Sequence, residues 1–524
     1  MWAGVAVVLS GLAAAALIGA WPWGLPGQPP VLLGADLPED GAHTVFLYAG
    51  VTQALRTGSA HLDGYWFPVG RPILDGAWNV VDALLAAPLV ALSGPWRGTV
   101  LATAAFAFLN ALGGGFMGHR VGGPGWPMVV GAVGTAFAPY AWAEVHQGRP
   151  TQSLLAPVAL VVAASWGPAR GLAAGAAVAL AGWVYWFQGL FAALVAALVL
   201  ATGRPPRRAL AALLVAGLSC LLLIAPFALL LSERWADLQG AGARRAFPVS
   251  VALPWQLPLP GVPGAADRYL PMGLLVLGLL GLGGAARGRA AALWVAGAAL
   301  YLVALGDHVT VGGQVYLLPW HWLGDLPLLS RLWWPYRALG AATVALAAAA
   351  AMGAATRPGR WLAGPAVLAF VAQCWLTPGR PPASLVPELP GWHTALPAGP
   401  VLVLPALEAR ASRLTLLQQP RHGRSLVNGM GMAHRDLWPP AFAAWWDADP
   451  LLRGIEQVES GQTPTQPGSD AGLRAAGVVA VVADRAWYGG LPTADRAWLT
   501  QSLGTPDCGL PGGSCAWLLD GGRP

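Results

Sequence analysis

Asp36, Glu39, Asp40 and His43 place three carboxylates and an imidazole within one short loop of a chain that is only 10% charged. A carboxylate can take a proton from an acceptor hydroxyl as that oxygen attacks. The loop runs on through Tyr65-Trp66-Phe67-Pro68-Val69-Gly70-Arg71 to Asn79. A second polar loop carries Glu144, His146, Gln147 and Arg149, and a third holds Asp307, His308, Arg331 and Arg337 among Trp333, Trp334 and Tyr336. A guanidinium can hold a phosphate bidentately and neutralise its charge. Acids and bases beside arginines, all at the headgroup depth of a membrane, suit chemistry on a lipid phosphate. Each residue also has a plainer reading. Asp40 or Asp36 can cap a helix, and Glu144 can pair with Arg149. His146 can be a hydrogen-bonded interfacial residue, Arg331 and Arg337 can be headgroup anchors, and Asp307 and His308 can close a helix end.

The elements that must position these groups are membrane helices. The chain has 524 residues, 56% of them hydrophobic, where soluble domains run about 45–50% apolar and about 25% charged. Apolar runs of helical length fall at 2–22, 99–118, 126–143, 152–167, 171–187, 189–202, 209–231, 271–285, 290–305, 338–356 and 361–377. They predict a polytopic bundle of about 11 spans. The segment 78–93 is apolar but holds Asn79, Asp82 and Pro88, and is read as re-entrant or interfacial. With the N-terminus in the cytoplasm, the short loops carrying Arg120, Arg170, Arg204, Arg207, Arg208, Arg287, Arg289, Arg357 and Arg360 lie inside. Nearly all acids then fall in outer loops, as the positive-inside rule requires. Counting 78–93 as a span would reverse every later loop. The net charge of +6 comes entirely from arginines and speaks to topology, with no nucleic acid implied. The first helix lacks a basic n-region and is expected to stay uncleaved.

The tail is more polar. Val401–Pro405 and Val478–Ala483 read as buried strands, Leu473–Gly477 as a helix end and Gly461–Asp470 as a linker. The expected division is a transmembrane domain, 1–378, whose first outer loop (23–98) carries interfacial helices, and a small α/β extracytoplasmic domain, 379–524. Cys508 and Cys515 can form a local disulfide there. Cys220 and Cys374 lie in apolar spans and read as inert.

The order of motifs resembles the GT-C superfamily of membrane glycosyltransferases, which use polyprenyl-phosphate-linked sugars. The carrying residues are Asp40-Gly41-Ala42-His43, Phe67-Pro68-Val69-Gly70, Asn79 with the apolar run after it, Ala138-Pro139-Tyr140, the Glu144/His146/Gln147 loop and Leu326 through Arg337. The resemblance implies a catalytic Asp in the first outer loop, matched best by Asp40 with Asp36 as the alternative. It also implies outer-face helices lying along the membrane and a variable outer C-terminal domain. The chain departs from the pattern in having Glu39-Asp40 where the family often has Gly-Asp, and only Glu144 where the family has an acidic pair.

The expected function is therefore transfer of a sugar from a polyprenyl-phosphate donor to an acceptor on the outer face of a bacterial inner membrane. Asp40 would be the general base, with Asp36 and Glu144 beside it. Arg331, Arg337 and Arg149 would bind the lipid phosphate, and His43, His146, Gln147 and Asn79 would orient the acceptor. No cofactor is required by this reading. A divalent cation, Mg or Mn, would sit at Glu144 and His146 if one is used. The alternative is a non-catalytic relative that moves a lipid carrier or assembles a surface polysaccharide.

Overall fold

The computed structural model describes residues 2–20, 22–34, 39–59, 61–62, 64–73, 80–166, 170–202, 205–233, 269–311, 313–326, 329, 334–376, 383–386, 388, 391–429, 432, 435 and 438–519. The chain falls into two compact units. One comprises Met1–Asp36, Trp78–Leu89 and Arg97–Ser384, and the other Leu37–Ala77, Val90–Trp96 and Leu385–Pro524.

The first unit is a bundle of apolar helices, and one lies at every segment expected from the sequence. Among the described residues, five helices are long and apolar enough to cross a membrane: Trp2–Gly19, Pro95–Gly122, Trp126–His146, Pro206–Pro226 and Pro335–Ala355. Two extremes explain their composition. Helix Ala338–Ala355 is almost pure Ala, Gly, Val and Leu, and is buried along its length. Such small side chains let backbones approach where lipid supplies no hydrophobic drive between helices. A Cβ on Gly353 would sit 1.7 Å from the carbonyl oxygen of Leu277, and one on Gly114 2.2 Å from that of Gly131. Helix Pro206–Glu233 instead exposes Leu210, Leu214, Leu218, Leu221 and Leu222. A contiguous leucine face of that kind belongs against lipid tails.

Described residues beside several of the turns expected in the cytoplasm approach one another in pairs. Trp2 and Trp126 meet edge to face at 5.4 Å. The Arg289 guanidinium lies 4.8 Å from the Trp166 ring centroid. A Cβ on Gly122 would come within 2.6 Å of the Ala351 oxygen. Helix Val80–Ser93 has 14 residues with Pro88 inside it, short of the ~20 that a span requires.

The second unit is built on a four-stranded sheet in the order Val401–Leu404, Ala480–Asp484, Ser514–Leu518, Asp507–Leu510. The first two strands are parallel, with Val401 opposite Ala480, and the rest antiparallel. A parallel pair needs a long crossover. It is supplied by helices Ala409–His422, Pro440–Ala448, Pro450–Glu459 and Ala471–Ala475. Cys508 and Cys515 form the expected disulfide across the last hairpin. The expected linker Gly461–Asp470 is tied down, because Gly468 N donates to Ser502 Oγ (2.9 Å) and Trp498 Nε1 to the Gln466 oxygen (2.6 Å).

The first loop is woven into this unit. Phe67 N donates to the Leu426 oxygen (3.0 Å), Leu426 N to that of Gly64 (3.1 Å) and Val427 N to that of Val401 (2.9 Å). Asn428 completes the edge by exchanging both amide bonds with Val403, each at 2.8 Å. Trp66 is fully buried with φ at +58°. It packs edge to face on Phe442 at 4.6 Å. A Cβ at Gly429 would strike its indole at 2.1 Å, so glycine is needed at that approach.

Candidate functional site

The second expected polar loop is a break in a membrane helix. Helix Trp126–Ala136 stops at Phe137, helix Pro139–His146 follows, and after Gln147–Arg149 a single turn, Pro150–Ser153, leads to helix Ala156–Trp166. Pro139, Pro150 and Pro157 fall at or just inside helix starts, where a missing N–H costs nothing. Gly148 reverses the chain at φ +72°. Irregular backbone at membrane depth survives only where protein satisfies its polar groups. Asn110 does this here. Its Nδ2 donates to the Ser153 oxygen (2.7 Å), and its Oδ1 accepts from Leu155 N (2.7 Å) and Ala156 N (2.8 Å). Gln188 Nε2 donates to the Gln152 oxygen at 2.8 Å.

The break holds Glu144 and Arg149 together. Glu144 is fully buried, and Arg149 Nη1 lies 3.7 Å from its Oε2. Arg149 N also donates to the Glu144 carbonyl at 2.8 Å. Arg149 Nη1 donates to Tyr336 Oη at 2.6 Å, and the guanidinium stands 5.8 Å from the Trp334 ring centroid. Arg337 lies 5.4 Å over the Tyr185 ring, within electrostatic reach of Arg149, Glu144 and Tyr336. Tyr140 is buried beside Glu144, Tyr185, Tyr336 and Arg337. Among the described residues, Tyr140 Oη, Tyr185 Oη and Arg337 Nε have no hydrogen-bond partner. Such groups are rare, cost about 1–3 kcal/mol each when left unsatisfied, and call for an explanation. Here they converge beside two guanidinium groups, a setting suited to an anion with several acceptor oxygens. Tyr185 and Tyr336 lie at helix ends opposite the turns that carry Trp166, Arg289 and Trp126.

A second buried carboxylate adjoins the break: Asp82, whose Oδ2 accepts from Thr151 Oγ1. The sequence offered one signal for it, an acid in an otherwise apolar helix. Tyr185 and Gln188 were not singled out either, since an aromatic or amide near a helix end has no distinctive spacing.

Asp40 and His43 belong to the second unit, half-exposed and three residues apart on helix Glu39–Thr57. The helix begins at Glu39, so Asp40 lies inside its first turn. Its carbonyl accepts from Thr44 Oγ1 at 2.8 Å. His146 is half-buried at the end of helix Pro139–His146, and Gln147 N donates to the Ala143 and Glu144 carbonyls. Asp36, Asn79 and Arg331 lie outside the described residues. Among the described residues no three His, Cys, Asp or Glu side chains gather to hold a metal, and Glu144 already faces a guanidinium.

No family model and no curated protein matches the sequence. Solved structures do match. The mycobacterial arabinofuranosyltransferase AftD superposes over 99% of this chain, with a TM-score of 0.54 and 15% identity. A mutant of the same enzyme superposes over 100%, with a TM-score of 0.53 and 16% identity. The archaeal oligosaccharyltransferase AglB from Archaeoglobus fulgidus aligns more loosely, over 96% of this chain and 71% of its own, at 13% identity and a TM-score of 0.41. The chain spans 40% and 42% of the length of the two AftD chains. It has the GT-C fold.

Proposed function

We propose that this protein is a membrane glycosyltransferase that takes a sugar from a polyprenyl-phosphate donor on the outer face of a bacterial inner membrane. The observation that carries the reading is the Arg149–Arg337–Tyr140–Tyr185 cluster, set at one end of a helical bundle with the GT-C fold. Eleven crossings with a cytoplasmic N-terminus would place that cluster at the outer leaflet, and the C-terminal domain outside as well.

In this account Arg337, Arg149 and Arg331 hold the donor phosphate, and Tyr140 and Tyr185 donate to its oxygens. The acceptor hydroxyl oxygen attacks the anomeric carbon, and its proton passes to the Asp40 carboxylate, with Asp36 the alternative base. The bond from the anomeric carbon to the phosphate oxygen breaks, and the lipid phosphate leaves with the electron pair. Charge develops on that leaving oxygen, where fixed guanidinium groups stabilise it most. One displacement inverts the anomeric configuration. Glu144 holds Arg149 in place, and His43, His146, Gln147 and Asn79 orient the acceptor. The acceptor is a surface polysaccharide, lipid or protein. The fold shared with AftD makes an arabinofuranosyl donor the first to try.

Asp40→Asn tests the chemistry. It should abolish label transfer in proteoliposomes while leaving thermal stability and donor binding unchanged. Retained turnover would remove Asp40 from the base role and turn attention to Asp36.

A further inference from the structure

We infer that the second unit carries a saccharide-binding cleft of its own. The inference rests on the glycosyltransferase reading and adds where an acceptor glycan is gripped. Helix Glu39–Thr57, the segment 90–95 and the turn 419–425 enclose a cavity of about 610 Å³. That volume suits a small organic ligand, for which sites run ~300–1,000 Å³.

The lining decides the ligand class. Gln53, Gln419 and His61 each offer both a donor and an acceptor at the cleft. Phe46 and Pro420 supply apolar wall. Among the described residues no carboxylate lines it, and the one guanidinium among them, Arg56, already donates Nη2 to the Ala91 oxygen at 3.0 Å. Among these described residues a divalent cation would find no charged oxygen, and a nucleotide phosphate only one engaged cation. An acyl or prenyl chain would bury three amide or imidazole groups without partners, at ~1–3 kcal/mol each. A sugar ring matches both features: its hydroxyls trade hydrogen bonds in both directions, and its C–H faces lie on apolar wall. Gln419 is held in position from two sides. Its Nε2 donates to the Arg424 oxygen at 3.2 Å, and any Cβ at Gly64 would strike it at 2.7 Å.

The test is saturation-transfer-difference NMR on the full chain in nanodiscs, titrated with short arabinan, mannan and galactan oligosaccharides. At least one series should saturate. Gln53→Ala, at an exposed helix position, should weaken it about tenfold, the loss expected of a hydrogen bond or two. Ala49→Trp, which fills the cleft, should abolish it; should that variant fail to fold, Gln53→Ala alone decides. The inference is overturned if no series saturates on folded protein, if Gln53→Ala binds as wild type, or if polyprenyl phosphate alone displaces the sugar. Binding needs no turnover, so the two readings separate. Saccharide binding without transfer from any donor would overturn the transferase and leave the cleft standing.

Discussion

Arg337 is the residue on which the phosphate-binding account turns. Its guanidinium lies over Tyr185, its Nε is buried without a hydrogen-bond partner, and Arg149 is close enough to repel it. The Glu144 carboxylate lies within the same reach and offsets part of that repulsion, and a bound phosphate would offset the rest and supply the acceptor that Nε lacks. Replacing Arg337 with Ala should raise the donor KM by about tenfold to a hundredfold, in line with ~1.5–3 kcal/mol for a charged hydrogen bond. Arg337→Lys should recover only part of it, because an ammonium lacks the planar fork. A steady-state titration of donor with both variants checks this, and an unchanged KM would remove Arg337 from the phosphate site.

Glu459 gives a separate expectation for pH. Its carboxylate accepts from Ala406 N and Leu407 N, each at 2.6 Å. Burial pushes its pKa up from 4.5 to about 7, against the pull of those two amides. The folded state therefore binds more protons than the unfolded state between these values. The contribution of Glu459 to stability is greatest below pH 4.5 and is lost as pH rises through about 7, a span worth on the order of 3 kcal/mol. Melting of the second unit should move down over that window, and Glu459→Gln should flatten the dependence. A slope unchanged in Glu459→Gln would assign the titration to another group.

At the scale of elements, the helix break and the close helix contacts make opposite demands on small changes. Asn110→Leu keeps the branched shape but strands Leu155 N, Ala156 N and the Ser153 oxygen. Each stranded group costs about 1–3 kcal/mol, so the variant should lose both thermal stability and donor binding. Gly353→Ala should destabilise strongly, because the added carbon would sit 1.7 Å from a carbonyl. Gly217→Ala, on the lipid-facing helix with nothing within 4 Å, should stabilise by up to about 1 kcal/mol. Melting in detergent would show the two shifts with opposite signs; equal shifts would contradict the packing described for Ala338–Ala355.

These elements also show what the sequence can and cannot disclose. Apolar length and arginine placement locate the helices and predict which turns share an end, because both are local properties imposed by the bilayer. The pairing of Glu144 with Arg149 is legible too, since five residues across a helix end bring them near. Asp82 is not, because its partner Thr151 comes from a different part of the chain. Trp66 reads as one of 27 tryptophans. Nothing local announces its left-handed backbone or its seat against Phe442 and Gly429. For the same reason the union of 37–77 with 385–524 in one unit is invisible to composition. Its bonds, such as Phe67 N to the Leu426 oxygen, join segments that no period or motif links.

For the whole molecule the question is whether the GT-C fold is put to its chemistry here. The most direct measurement is label transfer by purified wild-type protein in proteoliposomes, offered polyprenyl-phosphate sugars beside nucleotide sugars, arabinofuranosyl donors first. The account predicts transfer from a lipid-phosphate donor, none from the nucleotide donors, and loss of transfer in Asp40→Asn. Transfer from a nucleotide sugar, or none from any lipid-linked donor by folded protein, would contradict it.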